Sequence, residues 1–194
     1  MHPDIPNTVL FIGRPGSGKG TQAKLLGDTL GWVRLSSGDR FKTLRDSTGA
    51  LGDRIRAAYD KGEYMPDWFA DYLLESGIVE LDPETGIVAE GFGRTRTQAA
   101  HLKEILSWLG RRLVVVHLDV PEAMAKERMM ARGKTEHRPD SDDDHKIQSR
   151  FAEYTENTEP ALDYFREHGL VIEIDGTQSA EDIAADVLAK IKVA

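Results

Sequence analysis

The sequence predicts an α/β fold: an open, five-stranded parallel sheet with helices on both faces. Three observations carry this. Five short apolar runs alternate with helical patterns along 194 residues, the order that produces parallel β-α-β units. Leu113 to Val120 is almost continuously apolar and β-branched, as in a strand buried on both faces. A glycine-rich turn, Gly13 to Gln22, stands between the first strand and the first helix, at the carboxyl edge where such sheets bind ligands.

The elements follow in order. Val9–Ile12 reads as the first strand, and Ala23, Leu25, Leu26 and Leu30 mark the inner face of a helix opening near Gly18. Trp32–Ser36 is a second strand, and Ser37-Gly38-Asp39 has helix-start chemistry. Helical spacing continues through Phe41, Leu44, Leu51, Ile55 and Tyr59, broken at Ser47–Gly49. After a loop at Lys61–Pro66, a helix runs from Asp67 to near Gly77. Ile87–Glu90 is the third strand, and Gln98–Leu109 is helical with Leu102, Ile105, Leu106 and Leu109 on one face. In the fourth strand, Leu113–Val120, His117 reads as a hydrogen-bonded core histidine. Pro121 suits a first helical position, with helix from Glu122 to Arg132 and a mobile polar segment from Gly133 to Asp144. A long helix from about Asp144 to His168 is expected to kink or restart at Pro160. Leu170–Ile174 is the fifth strand, and Ser179 caps a last helix with Ile183, Val187, Leu188 and Ile191 inward.

Composition narrows the class. Residues 1–194 fit one domain, with 40% hydrophobic and 30% charged residues. The net charge of -8, from 33 acidic and 25 basic residues, argues against nucleic acid as a partner. With no cysteine, disulfides and thiolate metal sites are excluded, which suits a reducing compartment. The start M-H-P-D-I-P-N lacks the build of a signal peptide, and no apolar run approaches a membrane span. The expectation is a cytoplasmic monomer with no membrane partner.

The turn G-R-P-G-S-G-K-G-T-Q is the most informative stretch. Its glycines let the backbone curl so that N–H groups face an anion. The helix that opens there adds unpaired N–H groups and the positive end of its dipole. Lys19 supplies a mobile charge for outer phosphates, and Thr21 a hydroxyl. This is a nucleotide-phosphate site. Arginines at 94, 128, 132, 138 and 150 are the charges that a moving phosphoryl group needs around it. Arg128 and Arg132 share a helix face. Arg132, Arg138 and Arg150 flank the polar segment.

With these residues placed, the chain resembles the nucleoside monophosphate kinases, and among them the adenylate kinases with a short lid. Gly13–Gln22 resembles that family's phosphate loop. Ser36-Ser37-Gly38-Asp39 resembles its S-T-G-D segment, and Glu90-Gly91-Phe92-Gly93-Arg94-Thr95 its D-G-F-P-R-T segment, with Gln98 on the glutamine that follows. Arg128-Met-Met-Ala-Arg132-Gly133 resembles the entry to the lid. Arg138, the aspartates and Arg150 resemble the lid's R-x-D-D and the arginine beyond.

The resemblance implies a P-loop NTPase-like three-layer sandwich that transfers the γ-phosphoryl of MgATP to AMP, reversibly, giving two ADP. It implies that Gly16, Ser17, Gly18, Lys19, Gly20, Thr21 and Arg128 bind ATP. Ser37, Gly38, Lys42, Gly91, Arg94 and Gln98 would bind AMP, and Lys19, Arg94, Arg132, Arg138 and Arg150 would act in transfer. Asp39 and Glu90 would hold Mg²⁺ through waters. A flap of about residues 37–78 and a lid of about 133–143 would close over the nucleotides. R-T-x-x-Q at Arg94–Gln98 is the adenylate form, where uridylate/cytidylate kinases tend to R-N-x-x-N. A glutamine amide can pair with adenine's edge.

Four positions depart from the family. Lys42 stands where a second acceptor-phosphate arginine is usual, keeping charge without the bidentate fork. Glu90 replaces an aspartate, lengthening the arm by about 1.5 Å. Gly93 replaces a proline that follows a cis peptide; without proline a cis bond costs about 2.5–4 kcal/mol, so a trans bond is expected. The segment Arg138–Asp144 is one residue longer than the short-lid pattern, and its acidic run reads as a partner for lid arginines or a solvated stretch rather than a metal site. A zinc-bearing long lid is absent, having neither room nor cysteine. Three alternatives stay open: a UMP, CMP or other monophosphate kinase, a nucleotide-dependent switch, and a degenerate kinase that only binds nucleotide.

Overall fold

In the computed structural model, residues 6–61, 65–136 and 143–193 are described. All five predicted strands form: β1 (Thr8–Gly13), β2 (Val33–Ser36), β3 (Ile87–Glu90), β4 (Leu113–Asp119) and β5 (Val171–Asp175). They pair in parallel in the order β2-β3-β1-β4-β5. β1 therefore lies at the centre, with β3 and β4 on either side, and the loops after all three open on the same edge.

Strand alternation divides the core into two layers. Leu10 and Ile12 of β1 join Ile87, Ala89, Leu113 and Val115 on one face, under Leu102 and Leu106 of α5 (Arg96–Trp108) and Phe165 of α8 (Glu159–Glu167). Val9 and Phe11 join Val88, Val114 and Val116 on the other, under Ala23 and Leu26 of α1 (Lys19–Leu30) and Ile183, Val187 and Ile191 of α9 (Ala180–Ile191). Helices on both faces make the three-layer α/β sandwich. Ser179 caps α9, accepting from the Asp182 N–H at 3.1 Å.

Three helices, α2 (Ser37–Arg45), α3 (Ala50–Lys61) and α4 (Asp67–Val79), stand between β2 and β3. The helix α6 (Glu122–Glu136) follows β4 and runs four residues past Arg132, the sequence-based limit. Gly133 is buried within it, and the helix tolerates the roughly 1 kcal/mol that glycine costs. α7 (Asp144–Glu153) leads on, and Val120, Ala125, Met129, Ile147 and Phe151 form a small core between α6 and α7.

The long helix restarts near Pro160, as expected: Pro160 lies in the first turn of α8, a position that suits proline. A wide π turn, Tyr154–Thr158, joins α7 to α8 just before it. This turn carries Tyr154 into the core, where its hydroxyl lies 3.2 Å from His117 Nε2. His117 Nδ1 meets Glu173 Oε2 at 2.5 Å across the β4–β5 pair. The histidine is thus a hydrogen-bonded core residue, as the sequence suggests. No described helix is long and apolar enough to cross a membrane.

Candidate active site

The loop after β1 curls as its glycines allow. Gly16 and Gly18 have φ of +85° and +95°, values in the left-handed region that side chains disfavour. Gly16 is held by space as well as angle: a Cβ there would lie 2.3 Å from the Ala125 carbonyl oxygen of α6. Gly18 caps α1 without a side-chain bond, leaving the first N–H groups of the helix directed at the loop's concavity. Gly20 lies in the first turn of α1 and Thr21 is exposed beside it.

Lys19 folds back over the loop. Its Nζ donates to the carbonyls of Gly13 (2.6 Å) and Arg14 (2.9 Å) and to Ser17 Oγ (3.4 Å). Burial of the ammonium, then the nearby Arg94, lower its pKa from 10.5 to about 7; Glu90 opposes this, and Arg150 and Arg132 add to it. One lysine thus senses Arg94, Arg132 and Arg150 together, although they come from three separate segments. A pocket with one acid and four cations in range is built for an anion of several charges.

Ser37, Gly91 and Arg94 meet at a second point. A Cβ on Gly91 would lie 2.2 Å from Ser37 Oγ and 3.1 Å from Arg94 Nη2, and Gly91 has φ +82°. Only glycine allows this approach. Gln98 is buried, its Oε1 accepting from the Arg94 N–H at 2.8 Å and its Nε2 reaching the Asp67 carbonyl at 3.5 Å. Thr95 caps α5 and donates to Asp67 Oδ2 at 3.0 Å. The amide of Gln98 therefore ties the Arg94 loop to the start of α4. Gly38 and Lys42 lie exposed on α2. Arg128 donates to the Gly176 carbonyl at 2.9 Å, tying α6 to the loop after β5. Arg138 and most of the segment 133–143 lie outside the described residues.

The peptide before Gly93 is trans, since no described peptide bond is cis. Gly93 has φ +63°, a conformation closed to proline, whose ring holds φ near −65°. The backbone path here is thus one that a proline at this position could not take.

The two carboxylates expected to face a metal also approach each other. Glu90 Oε1 accepts from Ser36 Oγ at 2.5 Å, and a Cβ on Gly20 would lie 3.8 Å from it. Arg34 Nη2 stands 2.7 Å from Asp39 Oδ2 and 3.5 Å from Glu90 Oε1. Hard oxygen donors from the first turn of α2 and the end of β3, drawn around one cation beside the phosphate loop, fit a hydrated Mg²⁺.

Sequence reasoning missed two arginines. Arg34 lies two residues before Ser36 on β2, and the two face the same side of the strand; register then sets Ser36 opposite Glu90. Neither the pairing nor the register is visible in one segment. Arg14 occupies a variable position in the glycine loop. Its guanidinium pairs with Glu122 at 2.6 Å and Glu159 at 3.7 Å and lies over the rings of Phe151 and Tyr154. It fastens the loop to α6, α7 and α8.

Comparison with known proteins agrees with this geometry. The family described as "Adenylate kinase" matches residues 11–170. The chain is 36% identical over 185 residues to "Adenylate kinase 1" of Synechocystis sp., covering 95% of this chain and 96% of that protein. It is 34% identical over 191 residues to an adenylate kinase of Thermus thermophilus, covering 98% and 100%. It is also 34% identical over 185 residues to one from Clavibacter michiganensis, covering 94% and 92%.

Proposed function

The chain belongs to the adenylate kinase family, and from that premise we propose that it transfers the γ-phosphoryl of ATP to AMP, reversibly, giving two ADP. The observation that carries this reading is Lys19, held over the glycine loop in the field of Arg94, Arg132 and Arg150. Phosphoryl transfer asks mainly for positioning and for charge around the moving group, and this is the arrangement supplied.

In this reading, the backbone of Gly16–Thr21 cradles the ATP phosphates, with Ser17 and Lys19 inside the curve. Arg128 sits near the ATP base. Ser37, Gly38, Gly91 and Arg94 receive the acceptor phosphate, with Lys42 as a second charge on α2. Gln98 shapes the base pocket from the α4–α5 junction. Arg94, Arg132 and Arg150, with Arg138 outside the described residues, surround the transferring group. Asp39 and Glu90 would hold Mg²⁺ through waters, and the ion would supply charge neutralisation at the phosphate oxygens. Residues 37–78 act as the acceptor flap and 133–143 as the lid, closing to exclude water. The enzyme works as a monomer in the cytoplasm.

A coupled assay of ADP formation from MgATP, with AMP, UMP, CMP, GMP and dAMP in parallel, tests the assignment. AMP is expected to be the strongly preferred acceptor, and Lys19→Met is expected to abolish turnover with the circular dichroism spectrum unchanged. A pyrimidine preference would overturn the assignment of Gln98. Loss of transfer to every acceptor, with ATP still bound, would make the chain a binding module.

A further inference from the structure

Arg34 has no part in the transfer just described, yet its side chain stands in the metal-facing corner of the site. It rises from β2, is one-third exposed, and directs a single nitrogen, Nη2, at Asp39 Oδ2 (2.7 Å) and Glu90 Oε1 (3.5 Å). The side chain of Glu90 is 16% exposed, and its Oε1 also takes the Ser36 hydroxyl at 2.5 Å. The same Ser36 oxygen accepts from the Asp39 N–H at 3.3 Å and caps α2. Two carboxylates, one in the first turn of α2 and one at the end of β3, are thus gathered around one guanidinium nitrogen. Without a cation between them, like charges at this spacing would repel each other.

We propose that Arg34 is a positioning residue for the metal-facing carboxylates: a resident cation that holds Asp39 and Glu90 together in the free enzyme and yields its place when magnesium nucleotide binds. The proposal rests on the reading that these carboxylates face Mg²⁺. Arg34 and a hydrated Mg²⁺ draw on the same oxygens, because Glu90 Oε1 already serves both Ser36 and Arg34. Arg34 therefore does two opposing things. It preorganises the pair before nucleotide arrives, and it competes with the metal afterwards. Magnesium affinity in the ternary complex is set by that exchange, so this chain should need more free Mg²⁺ than it would with a neutral residue at position 34.

The test is a calorimetric Mg²⁺ titration of the enzyme saturated with a non-hydrolysable ATP analogue, for wild type, Arg34→Gln and Arg34→Lys. Apo thermal unfolding is measured alongside. Arg34→Gln is expected to bind Mg²⁺ about three- to fivefold more tightly, as removal of an ion pair of ordinary strength gives. Its apo unfolding midpoint should fall, since the carboxylates lose their counter-charge. Arg34→Lys should lie between the two proteins in Mg²⁺ affinity. A solely structural arginine would lower the midpoint and leave Mg²⁺ affinity unchanged or weakened, and that result overturns the proposal. Should Arg34→Gln fail to fold, the wild-type Arg34 guanidinium resonance decides: it should shift when Mg²⁺ joins the analogue complex, and an unmoved signal overturns the idea. A wild type that binds the analogue equally with and without Mg²⁺ would overturn the metal reading itself, and the role of Arg34 with it.

Discussion

At the scale of single residues, the phosphate loop combines low polarity around one ammonium group with an excess of positive charge. Lys19 is stabilised by three oxygen acceptors, yet burial and Arg94 hold its pKa near 7. Anionic phosphates must raise that value again. ATP binding between pH 7 and 8.5 is therefore expected to take up protons. Calorimetry in HEPES and in Tris, which differ in ionisation enthalpy, should give different apparent binding enthalpies; equal values would refute the linkage. The same shift bears on stability. A lysine whose folded-state pKa lies below its unfolded one weakens the fold fully below pH 7. That cost fades as pH rises from about 7 to 10.5, because the unfolded chain then holds more protons. Lys19→Met should thus stabilise the apo protein more at pH 6 than at pH 10, as read by urea unfolding. Binding function is maintained here at the expense of stability, as strained sites commonly show.

At the scale of elements, the site depends on how helices are started and joined. Thr95 both caps α5 and bonds Asp67 at the first turn of α4, so one hydroxyl sets two helices. Thr95→Ala is expected to cost about 0.5–2 kcal/mol in chemical denaturation, the usual range for a lost N-cap. It should also raise the Michaelis constant for AMP more than that for ATP, because the proposed reading puts the acceptor base at the α4–α5 junction. Equal effects on both would place the residue outside the acceptor pocket. The π turn between α7 and α8 shows the same economy. It places the Tyr154 hydroxyl 3.2 Å from His117 Nε2, and burial pushes that hydroxyl up to about 12, so it stays protonated at neutral pH.

At the scale of the whole molecule, three helices inserted between β2 and β3 join the core through apolar residues such as Ile55, Phe69 and Leu73 and through polar contacts. One of them pairs Asp71 of α4 with His101 of α5, Oδ2 to Nδ1, at 3.8 Å. Burial, then the charges of Glu75 and Asp67, raise the Asp71 pKa from 3.8 to about 6, against the pull of His101. A carboxyl with a raised folded-state pKa loses stability for the fold as pH climbs through that interval, since the unfolded chain has already released its proton. Relative to wild type, Asp71→Asn should therefore gain stability between pH 4 and pH 7. A constant difference across that range in thermal unfolding would disprove it.

The order of strands and helices, the glycine loop, the arginine set and the cap at Ser179 were legible in the sequence, whereas the caps at Ser36 and Thr95 came from the structure. Each legible feature is signalled by local pattern or by a short motif whose spacing is itself the chemistry. The trans peptide at Gly93 was legible too, from the cost of cis without proline. The tertiary structure alone decided the rest. Strand register set Ser36 opposite Glu90 and so brought Arg34 to both carboxylates. Helix packing brought Glu122, Glu159, Phe151 and Tyr154 around Arg14. Helix packing also set a π turn, Tyr154–Thr158, ahead of the restart at Pro160. The physical reason is common to all three. Contacts between segments far apart in the chain depend on register, crossing geometry and available volume, and these become defined only when the layers pack together.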